Sequence, residues 1–130
     1  MVIRNTKQRQ IIEDVLQTAA RPLSVDEILD AAHRLKPTLG IATVYRNVKS
    51  LVEDSKAVVV DLPGDGPRYE LAGKGHHHHF HCRGSGKVFE TKPCEGSLRR
   101  LVSRHFEITG HELVLYGRCP GCRQAQAAVQ

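Results

Sequence analysis

A chain of 130 residues can build one ordinary core or two very small ones, and two small ones need a metal ion or a second subunit to reach useful stability. No apolar run approaches the ~18 residues of a membrane span, and the first thirty residues lack the pattern of a secretory leader, so a cytoplasmic protein with no membrane partner is expected. The formal charge of +5 suits a nucleic-acid partner, but residues 1–75 hold 11 Lys and Arg against 10 Asp and Glu while residues 76–130 hold 8 against 4. Bulk charge therefore does not locate a DNA-binding face.

Up to about Ala57 the apolar residues recur at helical spacing. A first helix is expected from near Thr6, with Ile11, Ile12, Val15, Leu16 and Ala19 on one side, ending at Arg21-Pro22. Ser24-Val25-Asp26-Glu27 has the form of a capping box and opens a second helix through about Leu35. Thr38-Leu39-Gly40 leads into a third, whose buried stripe would be Ile41, Val44, Val48, Leu51 and Val52. Two β-prone runs, Ala57 to Leu62 and Arg68 to Leu71, flank the turn-rich Pro63-Gly64-Asp65-Gly66-Pro67 and read as a hairpin. Three helices and a hairpin make a winged helix, with the third helix as candidate for the major groove.

The second half reads as a strand around Phe80, another at Lys87 to Glu90, a helix from about Glu95 to Phe106, a strand from Glu112 to Tyr116 and a Cys-Pro-Gly-Cys turn. The fold class is α+β: a winged-helix domain over residues 1–73, then a small metal-binding α/β domain over residues 74–130. Pairing the second domain's sheet across a two-fold axis would bury more surface, so a homodimer is expected.

The densest chemical signal is His76-His77-His78-His79-Phe80-His81-Cys82. In an extended segment side chains alternate, so His77, His79 and His81 face one side and His76 and His78 the other, and one strand can feed two metal sites. Imidazole suits several first-row metals. Glu70, Glu90 and Glu95 lie near strand ends and His111 on the approach to the last strand. Cys119 and Cys122 have the spacing that lets both thiolates reach one tetrahedral ion, and Cys82 adds a third sulfur. Ser85 occupies the position where a fourth is wanted, and a hydroxyl is a poor zinc ligand. The open alternatives are Cys94 or water as the fourth ligand, a weakened site, or a redox disulfide between Cys119 and Cys122. Gly84-Ser85-Gly86-Lys87 lacks the leading glycine of a phosphate loop and reads as a turn. His105 and Glu107 upstream of Cys119 and Cys122 faintly resemble a zinc deaminase motif, but the spacing is wrong and an enzyme is not expected.

Thr6-x-x-Arg9, Gly40-Ile41-Ala42-Thr43-Val44-Tyr45-Arg46, Tyr69-Glu70-Leu71, the His76 to Cys82 run, Gly86-Lys87-Val88-Phe89-Glu90 and the stretch from His111 to Cys122 together resemble the ferric uptake regulator family. The resemblance covers nearly the whole chain. It implies a metal-dependent repressor that binds an inverted-repeat operator in double-stranded DNA as a homodimer and controls metal-uptake or oxidative-stress genes. It leaves open whether the regulatory metal is Fe(II), Mn(II) or Zn(II), and whether peroxide is sensed. By the family's pattern Glu70, His77, His79 and Glu90 are regulatory ligands; His76, His78 and His111, with Cys94 or Glu95, form a second site; Cys82, Cys119 and Cys122 hold structural Zn(II). Thr43 and Tyr45 would approach bases, Arg46 and Lys49 phosphates, Arg9 the nearby backbone and Arg68 a minor groove. Three departures stand out. Pro22 replaces a frequent histidine, the segment after Glu90 is about three residues shorter, and Ser85 replaces one of four zinc-binding cysteines.

Overall fold

The computed structural model describes residues 7–92 and 98–129, with side chains as far as residue 124. Thr6, Cys94 and Glu95 lie outside the described residues. The chain divides into two compact units, Met1–Lys74 and Gly75–Gln130.

In the first unit, α1 (Lys7–Ala19), α2 (Val25–His33) and α3 (Ile41–Glu53) are followed by β1 (Ala57–Asp61) and β2 (Pro67–Leu71). Ile12, Val15 and Leu16 of α1, Ile28 and Ala32 of α2, and Val44, Val48 and Leu51 of α3 meet in one core with Leu23, Leu39, Ala57 and Tyr69. Ile41 departs from the expected stripe and is 47% exposed. Spacing sets the buried face of a helix but not how far its cover extends, and burial here begins one turn later at Val44. The strands pair antiparallel from Ala57↔Leu71 to Asp61↔Pro67. Leu23 and Tyr69 exchange both backbone hydrogen bonds, at 2.9 and 2.8 Å, which ties the segment before α2 to the hairpin and completes a winged helix.

The start of α2 shows how sequence sets this geometry. The Glu27 amide donates to the Ser24 hydroxyl (3.2 Å) and the Ser24 amide donates to the Glu27 carboxylate (3.1 Å), forming the capping box. The same carboxylate receives Arg21 at 2.8 Å and pairs with Arg68. Burial alone would raise the Glu27 pKa, but the Arg21 hydrogen bond, the Ser24 amide and the charges of Arg21 and Arg68 together hold it below its ordinary 4.5. A depressed carboxyl stabilises the fold above its unfolded pKa, and that contribution is lost as pH falls through the folded value. Glu27→Gln keeps the cap and loses the ion pairs. It is expected to cost about 1 kcal/mol at neutral pH and to flatten the acid limb of the stability curve below ~4.5. Urea unfolding between pH 3 and 7 tests this, and an unchanged acid limb would contradict it.

In the second unit, β3 (His79–Cys82) lies between β4 (Val88–Glu90) and β5 (Val114–Gly117). It runs antiparallel to β4, from His79↔Glu90 to His81↔Val88, and parallel to β5, from His79↔Val114 to Cys82↔Gly117. Over residues 98–106, the described part of the helix expected from Glu95 to Phe106, no α-helix is observed. That part holds a 3-10 turn at Leu98–Leu101, and Leu101 and Phe106 are 78% and 63% exposed. Most helical stability in proteins comes from burying an apolar face, and this face is uncovered in the single chain. A helix not anticipated as such, α4 (Pro120–Val129), begins inside the Cys-x-x-Cys turn. Among the described residues, Cys82 and Val88 are the fully buried hydrophobic side chains of this unit, against twelve in the core of the first.

Candidate metal centres and DNA-binding face

The parallel pairing of Cys82 with Gly117 brings the end of β3 beside the turn that carries Cys119 and Cys122. The three sulfurs all lie within 4.8 Å of one another, with Cys82 and Cys122 3.6 Å apart. Thiolates on a tetrahedral zinc ion at ~2.3 Å are separated by about 3.8 Å, so the spacing fits that ion. A Cβ on Gly84 would come within 2.9 Å of the Cys122 sulfur, so a side chain there would crowd the cluster. The Ser85 hydroxyl and the amides of Ser85, Cys119 and Gly84 hydrogen-bond to Cys82 and, against burial, bring its thiol down to about 5. Cys122 moves the other way, raised by the neighbouring Cys82 and Cys119 thiols and by burial. These hydrogen bonds favour the thiolate of Cys82, the form that binds a metal.

His76, His78 and His111 form a second cluster. The His111 Nε2 lies 3.1 Å from the His76 Nε2 and 3.0 Å from the His78 Nε2. A ring nitrogen carries either one hydrogen or one lone pair, so three neutral rings cannot satisfy both contacts with single hydrogen bonds. One shared cation accepts all three lone pairs. Burial, then the proximity of His76 and His111, lowers the pKa of His78 and favours its neutral, ligand form. Thr91 anchors this residue: the His78 amide donates to its hydroxyl (3.3 Å), which donates back to the His78 carbonyl (3.1 Å). Cys94 and Glu95, the alternatives for a further ligand here, lie outside the described residues.

On the opposite face, the His77 and His79 rings meet edge to face with centroids 4.9 Å apart, and their ligand nitrogens lie within 4.8 Å of each other. The His77 Nδ1 is 2.9 Å from the Gly75 carbonyl. The hydrogen must reside on that nitrogen for the contact to be a hydrogen bond, which leaves the Nε2 lone pair for a metal. That Nε2 is 3.8 Å from the Glu90 carboxylate, which β4 places opposite His79. The separation is long for a direct hydrogen bond and suits two ligands of one ion. Glu70 belongs to the first unit, where it is 2% exposed on β2 with the Lys74 ammonium 3.7 Å away.

The α3 helix presents Tyr45 at 51% exposure, with Arg46 and Lys49 also exposed and Thr43 half-buried. Arg46 donates to the Thr43 hydroxyl at 3.2 Å, so the two share one polar face. Arg9 and Arg68 require correction, because neither guanidinium is presented outward. Arg9 is 2% exposed and donates to the Asp54 carboxylate (2.6 Å) and the Ser50 hydroxyl (3.1 Å), locking α1 to the end of α3. Arg68 is 7% exposed and is held by Asp65 at 2.5 Å and by Glu27. Arg9→Ala is therefore expected to lower stability by about 2–3 kcal/mol, since it strips a partly buried pair of one partner and leaves a cavity. The salt dependence of DNA binding, which counts phosphate contacts, should keep its slope. A slope reduced by about one unit would return Arg9 to the DNA backbone.

Sequence reasoning missed Asp54 and Ser50 as partners of Arg9, Thr91 as the anchor of His78, and the contacts of Gly84 and Ser85 with the sulfurs. The first omission had a signal, because Arg9, Ile12 and Leu16 share one helical stripe. His105 and Glu107 are exposed and belong to none of the metal-ligand groups found among the described residues.

Comparison with known proteins identifies the fold and the family. The model of the ferric uptake regulator family matches residues 1–116. The ferric uptake regulation protein of Campylobacter jejuni is 32% identical over 133 aligned residues, covering 98% of this chain and 85% of that protein. A zinc-bound manganese uptake regulator superposes with a TM-score of 0.79 at 27% identity, over 90% of this chain and 91% of the other. The Helicobacter pylori ferric uptake regulator, described with three functional metal-binding sites, gives 0.69 at 26% identity, over 93% of this chain and 83% of its own. The fold is accordingly the α+β class of these metal-responsive regulators, which combines a winged helix with a dimerisation domain. The chain belongs to the ferric uptake regulator family.

Proposed function

We propose that this chain is a cytoplasmic transcriptional repressor that binds an inverted-repeat operator in double-stranded DNA as a homodimer when its regulatory site holds Fe(II), Mn(II) or Zn(II), and so controls metal-uptake or oxidative-stress genes. The observation that carries this reading is the alternation of one histidine segment between two ligand sets, His77 and His79 with Glu90 on one face, and His76, His78 and His111 on the other. The first set is assigned the regulatory role, and Glu70 is added to it on the family resemblance alone. The second set is assigned a further metal site.

Homodimerisation is supported by β5, which pairs with β3 on one edge only among the described residues, and by the exposure of Leu101, Phe106, Leu113, Leu115 and Tyr116. A second copy of the same surface is the simplest cover for such a patch. On DNA, Tyr45 and Thr43 approach base edges while Arg46 and Lys49 meet phosphates. Metal and operator both favour one dimer geometry, so each raises affinity for the other by the same factor.

The test is operator binding by metal-stripped protein, titrated anaerobically with each of the three ions while bound metal is counted. One ion switching on binding supports the reading. Equal affinity with and without every ion, or an asymmetric minimal operator, refutes it.

A further inference from the structure

We propose that His33 is a positioning residue for operator recognition: by holding the Leu39 carbonyl it fixes the first turn of α3, from which Thr43 and Tyr45 read bases. The inference rests on the operator-binding reading above. The His33 Nε2 lies 2.6 Å from the Leu39 carbonyl oxygen. A carbonyl only accepts, so the ring hydrogen resides on Nε2 and the imidazole donates. His33 is the last residue of α2, and Leu39 directly precedes Gly40, the N-cap of α3. One side chain therefore spans the whole turn between the two helices. The backbone crosses the same turn in shorter steps, with the Lys36 amide on the Ala32 carbonyl (2.8 Å) and the Leu39 amide on the Lys36 carbonyl (3.2 Å).

The start of α3 depends on this hold because its other supports are weak. Gly40 makes no side-chain cap hydrogen bond, whereas Ser, Thr, Asp or Asn in that place would satisfy an orphan amide. Ile41 and Ala42 are exposed, and burial begins at Val44. The first turn thus projects beyond the core that clamps the rest of the helix. Its anchor is Leu39, which is restrained twice. The side chain is buried in the same core as Val44, at the two positions that a hydrophobic staple pairs, and the carbonyl is held by His33. A recognition helix presents its N-terminal residues to base edges, so freedom in this turn costs sequence reading first. Lys49, assigned to phosphate, sits farther along the helix between the packed Val48 and Leu51 and is insulated from it.

The test uses the full-length chain loaded with the activating ion among Fe(II), Mn(II) and Zn(II), an operator duplex selected by the wild type from a random pool, and a scrambled duplex of equal length. His33→Leu removes the donor and should weaken operator binding about 5-fold, the worth of one hydrogen bond. Affinity for the scrambled duplex and its salt slope should not change. His33→Gln presents an amide nitrogen at the same reach from Cβ and should restore operator affinity to within about 2-fold of wild type. His33→Glu, which turns an acceptor toward the same carbonyl, serves if His33→Leu does not fold and should lose as much. A merely structural residue would lower thermal stability and leave the ratio of the two affinities alone. An unchanged ratio in the Leu and Glu variants therefore overturns the proposal whatever stability is lost, as does a Gln variant no better than Leu. If the wild type itself does not distinguish the duplexes, the repressor reading fails instead. Amide exchange at Ile41, Ala42 and Thr43 in DNA-free protein then decides: faster exchange in His33→Leu than in His33→Gln supports the hold on the turn, and equal exchange overturns it.

Discussion

Exhaustive chelation under reducing conditions is expected to unfold the unit containing β3, β4 and β5 while the winged helix stays folded. The reason lies in the unequal cores. The first unit packs twelve buried hydrophobic residues from three helices, both strands and the segments between them, whereas the second fully buries only Cys82 and Val88 among its described hydrophobic residues. A unit of some fifty residues cannot repay its chain entropy with so little apolar burial, so ligands must contribute what packing does not. The sulfur cluster joins the end of β3 to the segment after β5, residues 37 and 40 positions apart in sequence. Metal bound there cross-links the sheet as a disulfide would. Structural zinc contributes on the order of 10 kcal/mol in small domains that depend on it. Backbone amides of β3 and β5 should therefore lose at least about 100-fold of their hydrogen-exchange protection on metal removal, with those of α1 to α3 unaffected. Cys82→Ser should reproduce the loss, since it removes the sulfur that ties the end of β3 to the Cys119–Cys122 turn. One cooperative transition with the same midpoint before and after chelation would show that the metal contributes nothing to the fold.

Much of this architecture is written in local patterns. Ser24 and Glu27 announce the capping box because the motif is complete within four residues, and the histidine run divides between two sites because successive side chains alternate in the segment that leads into β3. Features decided at longer range were less legible. Arg9 and Arg68 read as DNA contacts because a basic residue is expected at the surface, and only Asp54, forty-five positions away, or Glu27, forty-one away, shows why each is turned inward. The segment from Glu95 to Phe106 has helical spacing, but spacing promises a helix only where something covers its apolar face. Leu101 and Phe106 have no such cover in the single chain. The start of α4 was hidden for a different reason. Cys119-Pro120-Gly121-Cys122 is a good metal-binding turn, and Pro120 is also a good first helical residue. The same four residues serve both uses.

Replacing His77 and His79 together by alanine is expected to reduce operator affinity in the presence of the activating metal to its metal-free level. Allosteric couplings of this kind are typically about 1–3 kcal/mol, so the loss should be roughly 5- to 150-fold in affinity. Geometry makes these two residues the sensitive pair. The Gly75 carbonyl fixes the His77 hydrogen on Nδ1 and leaves Nε2 directed toward Glu90, while His79 meets the same ring edge to face. Removing both imidazoles deletes two neutral nitrogen ligands without touching Tyr45, Arg46 or Lys49. The salt dependence of the residual binding should therefore keep its slope. His76→Ala with His78→Ala provides the contrast, since those rings converge with His111 on the other face of the segment. If regulation resides at the first face, this second pair should retain most of the metal response. The reverse pattern, with the response surviving in His77→Ala/His79→Ala and lost in His76→Ala/His78→Ala, would move the switch to the three-histidine cluster. Alternation along the histidine segment would then have separated the two sites correctly while the roles assigned to them were exchanged.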